Sequence, residues 1–294
     1  MTSAFLRSGV ARRVLPPLVI VACVLVVWYA AVPPMNWDQA QTLADDDAGW
    51  RDIAVETFAL DRPVLPAPHQ IAAEVFSGVF GWPLSSPRSL MFHAGVTAAT
   101  TIAGLALALG LGIVLAIGIV HSRLLDRALM PWVIASQAIP VLAIAPMVVI
   151  VLGNVGITGL TPKALIAGWL SFLPITIGMV KGFRSPDPMQ RDLLRTYSAT
   201  GRDVFTKLRW PAAMGFLFPA LRIAAPLALV GAIVAELPTG AQAGLGARLL
   251  AGSYYGQTLQ IWAALFTAAL LAMVLLGLVA LAEKTMIRLR GGRA

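Results

Sequence analysis

Apolar positions in this chain do not alternate with polar ones; they run in blocks on the scale of a bilayer. A helix of about 20 apolar residues crosses the hydrocarbon core of a membrane. Six stretches reach that length: Val14–Val32, Ala94–Val120, Ala128–Leu152, Lys163–Phe183, Phe216–Leu237 and Leu259–Ala282. The first ends near Ala30-Ala31, which resembles a cleavage site, but its apolar run exceeds the roughly 7–15 residues of a signal core and so predicts a retained helix. Gly104, Gly110 and Gly112 fall in the second run, and Pro140, Pro146, Pro174, Pro219 and Pro226 in the third to fifth. Small residues let membrane helices approach closely, and prolines kink them. The pattern predicts an all-α polytopic membrane protein with six transmembrane helices.

The polar positions between the blocks set an orientation, because basic residues near helix ends stay in the cytoplasm. Arg7, Arg12 and Arg13 precede the first run, Arg123 and Arg127 separate the second from the third, and Lys284, Arg288, Arg290 and Arg293 follow the sixth. The fourth and fifth runs flank a basic island, Arg191–Ala213. The alternate connections differ. Met35–Leu90 is rich in Asp and Glu, Gly153–Pro162 has no charge, and Pro238–Thr258 carries only Arg248. This alternation requires an even number of spans and places both termini in the cytoplasm. Three regions follow: residues 1–93, holding the first helix, a long outer loop and a surface helix at Gln70–Phe80; a core at 94–283; and a cytoplasmic tail at 284–294.

Composition narrows the functional classes. Charged residues make up 12% of the 294, about half the share usual in soluble domains, and mean hydropathy is +0.80. The net charge of +8 follows the loops, so it argues for a lipid surface and against nucleic acid. The single cysteine, Cys23, lies in the first run and allows no disulfide within the chain. His69, His93 and His121 are scattered, which predicts no metal site. No GxxxxGK[ST] phosphate loop occurs, so ATP is not expected to bind here, and no cofactor is expected in this chain. No paired carboxylates or Ser/His/Asp set suggests a membrane enzyme. Ionisable groups inside a membrane are usually functional. Glu236 and Arg222, near opposite ends of the fifth run, are the main candidates. That is few for a gradient-driven secondary transporter, which remains the alternative reading.

The island is the most informative segment. Ser185-Pro186-Asp187-Pro188 is a helix start, with Asp187 capping and Pro188 at the first helical position. Leu193, Leu194 and Tyr197 then share a face. Ala199-Thr200-Gly201 bends the chain, with Gly201 free to take a positive φ. A second short helix, Arg202–Leu208, is expected to stop before Pro211. Such an amphipathic knob suits either the lipid interface or a groove on a partner protein.

The island resembles the EAA loop of bacterial ABC-importer permeases, a motif of EAA, three residues, Gly, nine residues, Ile, one residue and Leu-Pro. Asp192-Leu193-Leu194 falls on the triplet, Ser198 on the glycine, Leu208 on the isoleucine and Trp210-Pro211 on the last pair. The spacing is kept throughout, while the identities drift. The chain further resembles permeases of the nitrate/sulfonate/taurine type, which also includes importers of pyrimidine precursors. The matching segments are "LPAPHQIAAEV", "SRLLDRALMPWVIASQAIPVLAIAPMVVIVLG", "GFRSPDP", "LRIAAPLALVGAIVAEL" and "GLGARLL", in order from Val64 to Arg290.

That resemblance implies a type I ABC-importer permease fold with a cytoplasmic coupling helix in a loop at about residues 185–211. It implies an inner-membrane homodimer, two copies of a separate ATPase that uses ATP and Mg, and an extracytoplasmic substrate-binding protein. Asp192, Leu193, Leu194, Arg195, Tyr197, Ser198, Gly201, Arg202 and Pro211 are then the ATPase-coupling residues. Ser136, Gln137, Pro140 and Glu236 are the expected wall of the translocation path. For two of these a plainer role is open: Gln137 as a bridge between helices, and Glu236 as a partner of Arg248 or a cap on the Pro238–Gly246 loop. The cargo is expected among nitrate, taurine, sulfonates and pyrimidine-like solutes.

Overall fold

The computed structural model describes residues 9–44, 48–237 and 243–289. Arg7, Asp45–Asp47, positions 238–242 and the tail arginines Arg290 and Arg293 lie outside that set. Every regular element described is helical. Five helices are long and apolar enough to cross a membrane: α1 (Gly9–Leu43), α4 (Leu90–His121), α7 (Leu160–Arg184), α10 (Trp210–Glu236) and α12 (Thr258–Leu289). Shorter helices α2 (Trp50–Glu56), α3 (Pro68–Phe80), α5 (Arg123–Ala135), α6 (Val141–Asn154), α8 (Pro188–Thr196), α9 (Gly201–Asp203) and α11 (Leu245–Tyr254) complete the chain. Neither α2 nor α11 is visible as a hydropathy feature.

The third apolar run, expected at Ala128–Leu152 as one span kinked by its prolines, is broken more sharply than a kink. It divides into α5, a 3-10 turn at Ser136–Ala138, and α6, with a bend of 100° between the two halves. The cause is Pro140. Its missing N–H removes one helical hydrogen bond, and its ring pushes Ile139 into extended backbone (φ −79°, ψ 120°). Pro146, inside α6, leaves that helix unbroken. The pair counts as a sixth span if its two halves together cross the bilayer.

The chain forms two compact units, one of residues Met1–Pro83 with Leu249–Leu265, the other of Leu84–Arg248 with Phe266–Ala294. In the first, α1 outruns its apolar stretch because polar side chains on its far end hold the loop that follows. Asn36 Nδ2 donates to the carbonyls of Thr57 and Leu65, while its Oδ1 accepts from Leu65 N. Trp28 donates to Pro66 O and packs against Trp262. The surface helix expected at Gln70–Phe80 is α3, which starts at Pro68 and has Gln70 Oε1 accepting from Ala67 N.

The second unit is built on α4, α7 and α10. Its close packing depends on residues without side-chain bulk. A Cβ on Gly104 of α4 would lie 2.5 Å from Ala167 Cβ of α7, and one on Gly182 of α7 would lie 2.7 Å from Ala213 Cα of α10. At these points the backbones themselves touch, which is how helices gain contact in lipid, where tails compete for apolar surface. Ile119, Ile175, Met179, Phe183, Ala213 and Ala224 fill the remaining interior. Two ion pairs tie these helices to their neighbours: Arg184, at the end of α7, with Asp126 at 2.8 Å, and Arg222, midway along α10, with Glu283. Arg222, a candidate from the sequence, is thus engaged by a carboxylate on α12.

Candidate functional site

The island forms a projecting knob at the end where α7 stops and α10 begins. Asp187 Oδ1 accepts from Met189 N at 2.8 Å, and Pro188 takes the first helical position of α8. The helix is short, so its caps and local pairs carry much of its definition. Arg195 Nη1 reaches Asp192 Oδ1 at 3.0 Å, one turn back on the same helix. The apolar face that this leaves is open: Met189 is 80% exposed, Leu193 58% and Tyr197 77%, with Leu194 half-buried beside them.

The turn after α8 corrects one expectation. The residue with positive φ is Ser198 (φ +53°), and Gly201 is the helical first residue of α9. Left-handed backbone is needed where Ser198 N bonds to Arg195 O and Ala199 N to Leu194 O, closing α8 in a tight reversal. Thr200 then caps α9 reciprocally: its Oγ1 accepts from Asp203 N, and its own N–H donates to Asp203 Oδ2. Lys207 adds an ion pair to Asp203 at 2.7 Å.

The second half of the knob corrects another. The helix predicted for Arg202–Leu208 does not stop before Pro211. It widens into a π-helical turn at Val204–Arg209 and continues into α10, with Arg209 itself in helical geometry. Pro211 has no N–H to give an α-helical bond, and a wider turn just ahead of it lets the backbone run on. The knob is therefore joined to a long core helix without an intervening loop.

At the bend of the third run, Ser136 is buried and donates to Val133 O at 2.7 Å. Gln137 is half-buried and its Nε2 approaches Trp169 O at 3.4 Å, a bridge from the turn to α7. Pro140 is exposed. Beside the bend lies a cleft of about 620 Å³ whose walls include Ile139, Val141, Met147, Val151 and Trp169.

Glu236 sits at the opposite end of α10 from the knob and is fully buried. Thr97 Oγ1, on α4, donates to its carboxylate at 3.0–3.1 Å, and Gly246 N donates to Oε2 at 2.9 Å. Leu245 N donates to the same Thr97 oxygen at 2.8 Å, and Gly244 N to His93 Nδ1 at 3.0 Å. The Gly-Leu-Gly turn wraps the carboxyl group so closely that a Cβ on Gly244 would meet it at 2.2–2.5 Å, and Gly244 has φ +125°.

Comparison with known proteins gives the family. Residues 108–288 match the family model of the binding-protein-dependent transport system inner membrane component. The formylaminopyrimidine transport permease ThiX of Halalkalibacterium halodurans is 35% identical over 62% of this chain and 68% of its own length. The riboflavin transport permease RibX of Chloroflexus aurantiacus is 37% identical over 57% of this chain and 61% of its own. A putative aliphatic sulfonates permease, SsuC of Bacillus subtilis, is 25% identical over 64% and 67%.

The chain belongs to the binding-protein-dependent permease family. It is an integral-membrane permease subunit of an ABC transporter. The matched region contains both the bent third run and the knob, while the "LPAPHQIAAEV" segment precedes it. The permease brings Asp192, Leu193, Leu194, Arg195, Tyr197, Ser198, Gly201 and Arg202 together in the knob, with Pro211 at the root of α10. It brings Ser136, Gln137 and Pro140 together at the bend and sets Glu236 apart from them, in a hydrogen-bonded interior. Sequence reasoning singled out neither Thr97 nor His93 as partners of Glu236. Thr97 lies 139 residues away along the chain, and the one local signal was the glycine spacing of "GLG" after an acidic residue.

Proposed function

We propose that the permease is one of two copies in an ATP-driven importer of a bacterial inner membrane, with both termini in the cytoplasm. Two ATPase subunits seat the knobs, and a loaded binding protein docks on the outer side. The carrying observation is the knob: a capped short helix with Leu193 and Tyr197 presented to solvent, continuous through a π-helical turn with α10. In a groove of the ATPase those side chains are the anchors, and Arg195 and Arg202 sit at the rim. ATP, held with Mg by the ATPase, favours one dimer state. The knob passes that preference to α10 and the core, because a ligand shifts an equilibrium only through its different affinity for the two states. Gln137 and Pro140 line the path at the bend, while Ser136, buried and bonded to Val133 O, holds the turn that presents them.

The cargo proposed is a small uncharged heterocycle. The walls of the cleft beside the bend are apolar, with the indole of Trp169 among them, and they offer an oxyanion no compensating charge. The names of ThiX and RibX include a pyrimidine and a flavin, which accords with that chemistry.

The test is co-purification in mild detergent of the tagged permease, wild type beside Leu194→Asp/Tyr197→Asp. Wild type is expected to bring down a P-loop ATPase and the double variant, folded and inserted, to lose it. If no ATPase accompanies the wild type, the coupling reading fails.

A further inference from the structure

The buried group around Glu236 has a polarity that can be worked out atom by atom. Pro87 O lies 2.8 Å from His93 Nε2, and a carbonyl only accepts, so Nε2 carries the hydrogen. Gly244 N–H points at Nδ1 from 3.0 Å, and an amide only donates, so Nδ1 is bare. His93 is therefore neutral, in a single tautomer. Thr97 has one hydroxyl hydrogen; it goes to Glu236, which leaves its oxygen free to accept from Leu245 N. Glu236 takes Gly246 N on its remaining side. Three successive amides, Gly244 to Gly246, are thus each held by a different side chain.

We infer that His93, Thr97 and Glu236 are positioning residues that latch the Gly244–Gly246 turn onto α4, and that the latch holds only while His93 is neutral. A second proton on the imidazole would face Nδ1–H with the N–H of Gly244, and that bond would be replaced by a repulsion. The other charged groups facing the cluster are Arg248, toward His93, and Lys163, toward Glu236. Glu236 is then an anchor of the loop rather than a wall of the path. A side chain lining an aqueous route would be wetted, whereas Glu236 is fully buried and bonded on both oxygens. Its place at the far end of α10 from the knob puts the latched turn on the side where the proposed function has the binding protein dock. In that setting, which rests on the proposed function, the latch fixes the docking surface.

The experiment has two arms on the full-length permease. Hydrogen–deuterium exchange reads the peptide containing Gly244–Gly246 as pH is lowered across the imidazole range, about 8 to 5. Exchange rates are first corrected for their intrinsic pH dependence. Wild type is expected to protect these amides at neutral pH and to lose protection on acidification. His93→Asn, whose Oδ1 takes the place of Nδ1 and cannot be protonated in this range, keeps it. Thr97→Val loses protection at every pH, and Thr97→Ser restores it. Equal protection in wild type, Thr97→Val and Thr97→Ser, or a wild-type profile flat with pH, overturns the latch. The second arm reconstitutes the complex and measures ATPase stimulation by loaded binding protein. Thr97→Val is expected to raise the half-maximal concentration about tenfold with an unchanged maximum. An unchanged half-maximal concentration overturns the docking role. No stimulation in wild type would instead count against the proposed function, while the exchange arm would still decide the latch.

Discussion

At the scale of single residues, Ser198 stands at the position aligned with the motif's glycine and has a positive φ. Its left-handed backbone is the conformation glycine adopts freely and other residues adopt at a cost of roughly 1–2 kcal/mol. Ser198→Gly is therefore expected to steady the turn by about 1 kcal/mol. Amide exchange at Tyr197–Ala199 should slow about fivefold. Ser198→Val adds a branched Cβ to the same backbone and should loosen the turn enough to weaken ATPase co-purification. Neither effect could be placed from sequence alone. The aligned position is a serine, while Gly201, three residues on, looks like the natural hinge, yet Thr200 caps a helix there and Gly201 needs no special φ.

At the scale of elements, the contact between α7 and α10 is set by what is missing. Gly182 leaves room for the backbone of Ala213, and no rotamer change can make room for a larger residue. Gly182→Val should force the helices apart at a cost of roughly 1–3 kcal/mol, seen as a lowered Tm in detergent. Gly277→Ala is the control, because nothing lies within 4 Å of its added Cβ, and Tm should hold or rise slightly. Element boundaries were the least legible part of the sequence, for a physical reason. Hydropathy marks where a helix meets lipid. Helices here continue past that point on hydrogen bonds and ion pairs, as α1 does through Asn36 and α5 through Asp126 with Arg184. A kink in the third run was legible from its prolines, but not its sharpness or which proline makes it. An apolar run reads alike whether kinked or folded, and Pro146 only a few residues later is tolerated inside α6.

At the scale of the whole molecule, the spans were legible because a bilayer imposes one length on every helix that crosses it. The knob was legible because its caps and amphipathic face are local. Around Glu236 only the local part was legible, its cap on the loop that follows; His93 and Thr97 were not, since α4 is far away in sequence. The division of labour proposed for the complex has its own consequence. Energy should enter through the ATPase alone. In reconstituted vesicles, uptake should need ATP and should persist when a protonophore collapses the gradient. Loss of uptake on adding the protonophore, with ATP still present, would return the question to a gradient-driven carrier.

The exposed face of α8 also bears on the life of the subunit before assembly. Met189, Leu193 and Tyr197 are left largely uncovered by the described residues. A copy made in excess of its ATPase keeps them in water beside a membrane crowded with other hydrophobic surfaces. Such an orphan is open to mispairing and to proteases that seize accessible apolar segments, while an assembled copy hides the same residues. Under the proposed assembly, the surface that transmits force would also serve as a census of partners, leaving unmatched subunits marked for removal.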